Sequence, residues 1–236
     1  MSEDANGPKA AAALAARVAT EPRWQAGLAV LAALALYVTL PPKVVVGPVW
    51  VLPLVLLVIL IPLMLFSPHR QKEVAWQRML SIAHIAVLNG FNVATIVLLF
   101  YWQLSEHSHK SLNGEQLLLA AGQIWLTNII VYGLWYWEFD GGGPRVRTHI
   151  TGDDAPRRSD FLFPQMALVP EIRDRLHWKP GFLDYLFLSF NTATAFSPTD
   201  TFPLTRFAKA LMMAESLTSL VTVAIIAGRA INILGS

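Results

Sequence analysis

Cysteine is absent from the 236 residues, which excludes disulfides, thiolate metal sites and cysteine nucleophiles. Charge is scarce: Asp, Glu, Lys and Arg make up 14% of the chain, against roughly 25% in soluble domains. With 54% hydrophobic residues, the chain is short of water-facing surface. The net charge of +2 is carried mostly in loops, so no nucleic-acid partner follows from it. No nucleophile–base pair or paired carboxylate suggests catalysis, and the chain reads as a non-enzyme. No His/Asp/Glu cluster reaches metal-ligand spacing, with His107 and His109 the nearest approach, so no metal or cofactor is expected. Arginines at every third position are missing, which excludes a voltage-sensing helix. No internal repeat is visible, and low complexity is confined to the alanine-rich N-terminus.

What is present is apolar sequence in blocks long enough for about 30 Å of hydrocarbon. Five spans are expected, at about 24–40, 49–66, 79–104, 116–137 and 204–234. Pro53 and Pro62 are expected to break the second. Trp50, Trp76, Tyr101, Trp102, Trp135, Tyr136 and Trp137 fall near span ends, as interfacial aromatic belts require. Residues 1–23 read as a polar, frayed tail with no signal-peptide cleavage pattern, and the first span as retained. The expected fold is an all-α integral membrane protein of about five transmembrane helices, with a re-entrant helix between the last two. Its parts are the tail at 1–23, a three-helix membrane region at 24–104 and a pore-like module at 116–236. Residues 138–180 form a long polar connection, read as a solvated loop with Phe161, Phe163 and Trp178 as anchors. Its run Gly141, Gly142, Gly143 lacks the Gly-x-x-x-x-Gly-Lys spacing of a phosphate cradle.

The segment 182–202 is too short and too rich in hydroxyls to cross a bilayer comfortably. It reads Phe-Leu-Asp-Tyr-Leu-Phe-Leu-Ser-Phe, then Asn191-Thr-Ala-Thr-Ala-Phe-Ser-Pro-Thr-Asp-Thr-Phe. Irregular backbone at membrane depth is tolerated only where protein buries it or where it lines a watery cavity. From 191 to 205 the segment resembles the pore loop of potassium channels, whose pattern is Thr-x-Thr-Thr-Val-Gly-Tyr-Gly-Asp, often with a proline three residues beyond. Thr192, Thr194, Asp200 and Pro203 fall on the family's positions without gaps. The resemblance implies an outer helix at 116–137, a pore helix at 183–191, a filter-like loop to 202 and an inner helix at 204–234. It also implies a homotetramer, since one such module cannot enclose a pore. The filter glycines are missing: Val-Gly-Tyr-Gly has become Phe196-Ser197-Pro198-Thr199. Without them a potassium-type carbonyl ladder is not expected. Thr192, Thr194, Ser197 and Thr199, with Phe196 at a constriction and a ring of Asp200, would then handle partly hydrated monovalent cations, or no ion at all. The C-terminal half is also similar to an uncharacterised bacterial integral-membrane family, through Gly133-Leu-Trp-Tyr-Trp137, Leu162-Phe-Pro164, Leu183-Asp-Tyr-Leu-Phe-Leu-Ser-Phe190 and Thr194-Ala-Phe-Ser-Pro-Thr-Asp200.

Glu215, Ser216 and Ser219 lie within the last span. Glu215 reads either as a pore-lining or gating carboxylate or as a buried acid bonded to Thr192 or Ser189. In the third span His84, Leu88 and Asn92 share one face; with Gln123, Thr127 and Asn128 they read as interhelical hydrogen-bonding residues. Basic residues are asymmetric: three in the tail, three at 67–78 and seven at 138–181, but one each at 41–46 and 105–115. The positive-inside rule then puts the N-terminus and the 138–180 loop in the cytoplasm of a bacterial inner membrane. The pore loop would enter from that face, unless 181–199 is a sixth span. The leading functional expectation is a weakly selective cation channel or channel-like protein. The alternatives are a small secondary transporter, built on His84, Asn92, Gln123 and Glu215, and a non-conducting membrane scaffold.

Overall fold

The computed structural model describes residues 23–66, 75–104, 114–147, 159–176, 178–195 and 200–234. The chain is helical almost throughout. In order come α1 (Trp24–Val38), α2 (Val51–Phe66), α3 (Ala75–Leu104), α4 (Gly114–Phe139), a 3-10 turn (Asp140–Gly142), α5 (Pro144–Arg147), β1 (Phe161–Leu162), a 3-10 turn (Pro164–Ala167), α6 (Pro170–Leu176), α7 (Phe182–Ala195), β2 (Phe202–Pro203) and α8 (Arg206–Leu234). Three helices are long and apolar enough to cross a membrane, over Trp76–Tyr101, Gly114–Gly142 and Arg206–Gly228. At 15 and 16 residues, α1 and α2 fall short of the roughly 20 that a span takes. No charged residue interrupts either.

Pro53 and Pro62 do not break α2, which runs unbroken through both. Pro53 lies in the first turn, where the missing N–H has no intrahelical partner in any case.

The hub is α4, packed on α1, α3, α7 and α8, while α2 packs on α3. Its 18-residue window is 61% buried, against 39% for the span in α3 and 22% for that in α8. The neighbours of α4 run antiparallel to it, as cross-contacts show. For α1, Arg23 lies over the Trp137 ring at 5.9 Å, and Gln123 Nε2 donates to Thr39 Oγ1 at 2.9 Å near the other end. For α7, the Phe182 and Trp137 rings are 6.0 Å apart, Ser189 Oγ lies 2.7 Å from the Ile129 carbonyl oxygen, and Phe190 lies 6.3 Å from Trp125. For α8, the Phe207 and Phe139 rings are 4.7 Å apart, and Asn128 Nδ2 donates to Ser219 Oγ at 2.9 Å.

Close approach of α7 to α4 depends on Gly133. A Cβ there would lie 3.2 Å from the Leu186 Cα. A small residue at the crossing lets the two backbones come together.

Two aromatics expected in the interfacial belt are instead interior. Tyr136 is fully buried and Trp137 nearly so, whereas Trp50, Trp76 and Tyr101 are exposed. A buried tyrosine needs a partner for its hydroxyl, and Tyr136 finds one on α8. The connection after α4 is also more than a solvated loop with anchors. Phe161 and Phe163 are buried, with Phe161 against Tyr136 and Phe163 against Tyr185.

Candidate functional site

Both ends of the 182–205 segment are fastened to one end of α4. Gly141, Gly142 and Gly143 reverse the chain with φ of 58°, 84° and 104°, angles that side-chain-bearing residues rarely adopt. This reversal leaves Asp140 fully buried. Its Oδ1 accepts the backbone N–H of Asp160 at 2.6 Å and of Phe161 at 3.2 Å, and its Oδ2 accepts the Tyr185 hydroxyl at 2.5 Å. Tyr185 lies in the first turn of α7, so Asp140 ties the entry of that helix to the end of α4. Arg147 Nη1 donates to the carbonyls of Trp137 at 2.6 Å and Asp140 at 3.0 Å, with its guanidinium 4.7 Å over the Tyr185 ring.

Asp160 ties down the other end. Its Oδ1 accepts the Thr205 hydroxyl at 2.7 Å, its carbonyl accepts the Leu204 N–H at 2.8 Å, and β1 pairs antiparallel with β2. Thr205 Oγ1 in turn accepts the Ala208 N–H at 3.2 Å, which caps α8. At the mouth of α7, Asp184 accepts the Gly181 N–H at 2.7 Å, half of a capping box. The 14 residues of α7 rise about 21 Å, short of the roughly 30 Å hydrocarbon core. From Ala195 the chain to Asp200 reaches at most about 18 Å. Thus α7 runs into the bundle from the end of α4 at which Thr205 and the start of α8 are also fastened.

Phe196, Ser197 and Thr199 lie outside the described residues. The expected pore helix at 183–191 is longer at both ends: α7 continues to Ala195 and takes in Thr192 and Thr194. Their hydroxyls donate to the carbonyls four residues back, Leu188 at 2.9 Å and Phe190 at 2.8 Å. Such back-bonding satisfies both hydroxyls within the helix itself. Thr192 is buried, whereas Thr194 and Asp200 are exposed.

The inner-helix residues divide. Glu215 and Ser219 are fully buried, and Ser216 is half-buried. Glu215 accepts the Tyr136 hydroxyl through Oε2 and the Ser189 hydroxyl through Oε1, so one carboxyl joins α8 to α4 and α7. Of the two partners that the sequence offered, Ser189 makes the contact. Deeper along the same face, Asn92 Nδ2 donates to Asn128 Oδ1 at 3.2 Å and joins α3 to the Asn128–Ser219 bond.

These groups form a seam through the bundle. Asn128, Tyr132 and Tyr136 on α4 and Asp140 in the turn that follows recur every four residues and are all buried. Tyr185, Ser189 and Thr192 line the facing side of α7, and Glu215, Ser219 and Thr222 that of α8. That spacing in α4 is legible in the chain, but Tyr132 and Asp140 drew no attention and Tyr136 was given to the belt. His84 is buried on the same face of α3 as Leu88 and Asn92, and neither ring nitrogen has a hydrogen-bond partner.

Two of the groups suggested for a transport site, Gln123 and Asn92, have hydrogen-bond partners within the bundle. Gln123 bonds to Thr39, and the cavity bordered by Tyr37, Asn92, Thr95 and Thr127 measures about 10 Å³, room for about one water. His107 and His109 fall outside the described residues.

The fold and site define a helical bundle with helices of membrane-crossing length, a polar seam in its core and a half-length helix fastened at one end. No protein-family model, curated protein or solved structure matches the chain.

Proposed function

We propose that this chain is an integral membrane protein whose residues 114–234 form a pore-loop module. In this reading α4 is the outer helix, α7 the re-entrant pore helix and α8 the inner helix. The observation that carries it is the double tether of Asp140 to Tyr185 and of Asp160 to Thr205, which holds the start of α7 and the start of α8 at one end of α4. A sixth span would separate those two points by the thickness of the bundle. The activity that follows is weakly selective passage of monovalent cations, with the exposed Thr194 at the inner end of α7 and the exposed Asp200 before the start of α8.

Assembly as a homotetramer accounts for the bareness of α8. Met213, Leu217 and Leu220 are 72%, 63% and 51% exposed along one face, while its polar groups turn inward. An inner helix would be left so if its neighbours were further copies of the chain. Arg23, Arg175, Lys179, Arg206 and Lys209 belong to the end of the bundle where α7 enters, which by the positive-inside rule faces the bacterial cytoplasm. The small cavity beside Asn92 favours this reading over a transport site within one bundle. A scaffold without conduction is the remaining alternative.

Reconstitution tests it. Cation flux into liposomes should be present and should fall with Asp200→Asn, and single particles should show four copies around an axis. A monodisperse monomer with no flux would overturn it.

A further inference from the structure

Residues 168–176 carry an apolar stripe that is left exposed among the described residues. Val169, Ile172 and Leu176 recur at i, i+3 and i+7, on or just before α6, and each is at least half exposed; Leu168 beside them is 37% exposed. The segment is held at both sides. Met166 packs against the core, and the Trp178 ring lies 5.6 Å from Phe163, which itself packs on Tyr185 in the first turn of α7. The stripe is therefore fixed at the end of the bundle where α7 enters. The exposed face of α7, with Leu183 at 68% and Phe187 at 54%, begins there. Two turns of helix are too short to stand alone in water, so α6 needs a surface to lie on.

Charge points to the kind of surface. Arg175 and Lys179 are exposed beside the stripe, and Arg206 and Lys209 are exposed in the first turn of α8 at the same end of the bundle. Against them stand the exposed Glu171 and the half-buried Asp184, while Arg173 and Asp174 within the segment offset each other in charge. An apolar face flanked by cations suits the boundary between acyl chains and anionic headgroups. A second copy of the chain would bring the same positive charges against themselves.

We propose that residues 168–176 form an interfacial anchor that lies in the headgroup layer of an anionic leaflet, beside the mouth of α7. The anchor rests on the membrane reading of the bundle and is independent of whether the protein conducts.

The native chain has no cysteine, so single positions of the full-length protein can be labelled cleanly. An environment-sensitive dye on Ile172→Cys, in vesicles with anionic lipid, should emit to the blue of the free dye. It should be quenched by lipids brominated near the headgroup and spared by aqueous iodide. Neutralising Arg175 and Lys179 together (Arg175→Gln, Lys179→Gln) should shift the seated population about five-fold per charge and weaken its dependence on anionic lipid and salt. Emission like that of the free dye, with iodide quenching, would overturn the anchor, as would dye self-quenching between copies without any effect of brominated lipid. The same dye on Val97→Cys, on the exposed face of α3, separates the two failures. Lipid quenching at Val97 but not at Ile172 sinks the anchor alone, and quenching at neither position sinks the membrane reading with it.

Discussion

Removing Glu215 tests whether the polar seam holds α7 and α8 to the hub. Its carboxyl is fully buried and receives one hydroxyl from Tyr136 on α4 and one from Ser189 on α7. In Glu215→Ala both bonds go. Interhelical hydrogen bonds in membranes contribute about 0.6 kcal/mol on average and about 1.7 at most, so the pair accounts for roughly 1–3 kcal/mol. Ser189 keeps the Ile129 carbonyl as acceptor, but Tyr136 is left with a buried hydroxyl and the site with a void. Together these bring the expected loss to about 2–4 kcal/mol. Glu215→Gln keeps the volume and an oxygen acceptor, and the expected loss is under about 1 kcal/mol. The assay is reversible unfolding of the full-length protein in mixed micelles, titrated with denaturing detergent. A cycle with Tyr136→Phe isolates the pair, with an expected coupling of about 0.5–2 kcal/mol. If Glu215→Ala proves as stable as Glu215→Gln, or the coupling is nil, the carboxyl does not fasten the helices and the reasoning fails.

Three further outcomes follow from the same contacts. Gly133→Val drives methyl groups into the Leu186 backbone and is expected to cost about 1–3 kcal/mol in the same assay, with Gly133→Ala costing less. Asp140→Ala strips the acceptor from two backbone N–H groups and the Tyr185 hydroxyl; at least about 3 kcal/mol should be lost, read as a fall in thermal midpoint. Thr205→Ala removes both the cap of α8 and a bond to Asp160, and should cost about 1–2 kcal/mol, whereas Thr205→Ser should be close to neutral.

Helix positions were largely legible in the chain, because an apolar block long enough to span is a local property. The expected limits 79–104, 116–137 and 204–234 lie within four residues of α3, α4 and α8. Proline misled in α2, since Pro53 falls in the first turn, where a proline removes no intrahelical bond. The helix expected at 183–191 proves longer because a family pattern set its end there, and it runs from Phe182 to Ala195. The threonines of this chain instead bond back onto their own helix. Asp140 was passed over as one acid among several in a polar stretch; only its burial behind three glycines singles it out.

By itself the sequence determined that the chain is helical, that its helices are apolar enough for a bilayer, and that 182–205 differs from its flanking spans. Hydropathy and composition are sums over neighbouring residues, and such sums survive without a fold. Tertiary structure alone decided that Tyr136 meets Glu215 across 79 residues, that Asp140 meets Tyr185 across 45, and that α7 and α8 start from the same end of α4. Those pairings depend on how each helix is rotated about its axis. Close packing at positions such as Gly133 sets that rotation, and no periodicity within a single helix encodes it.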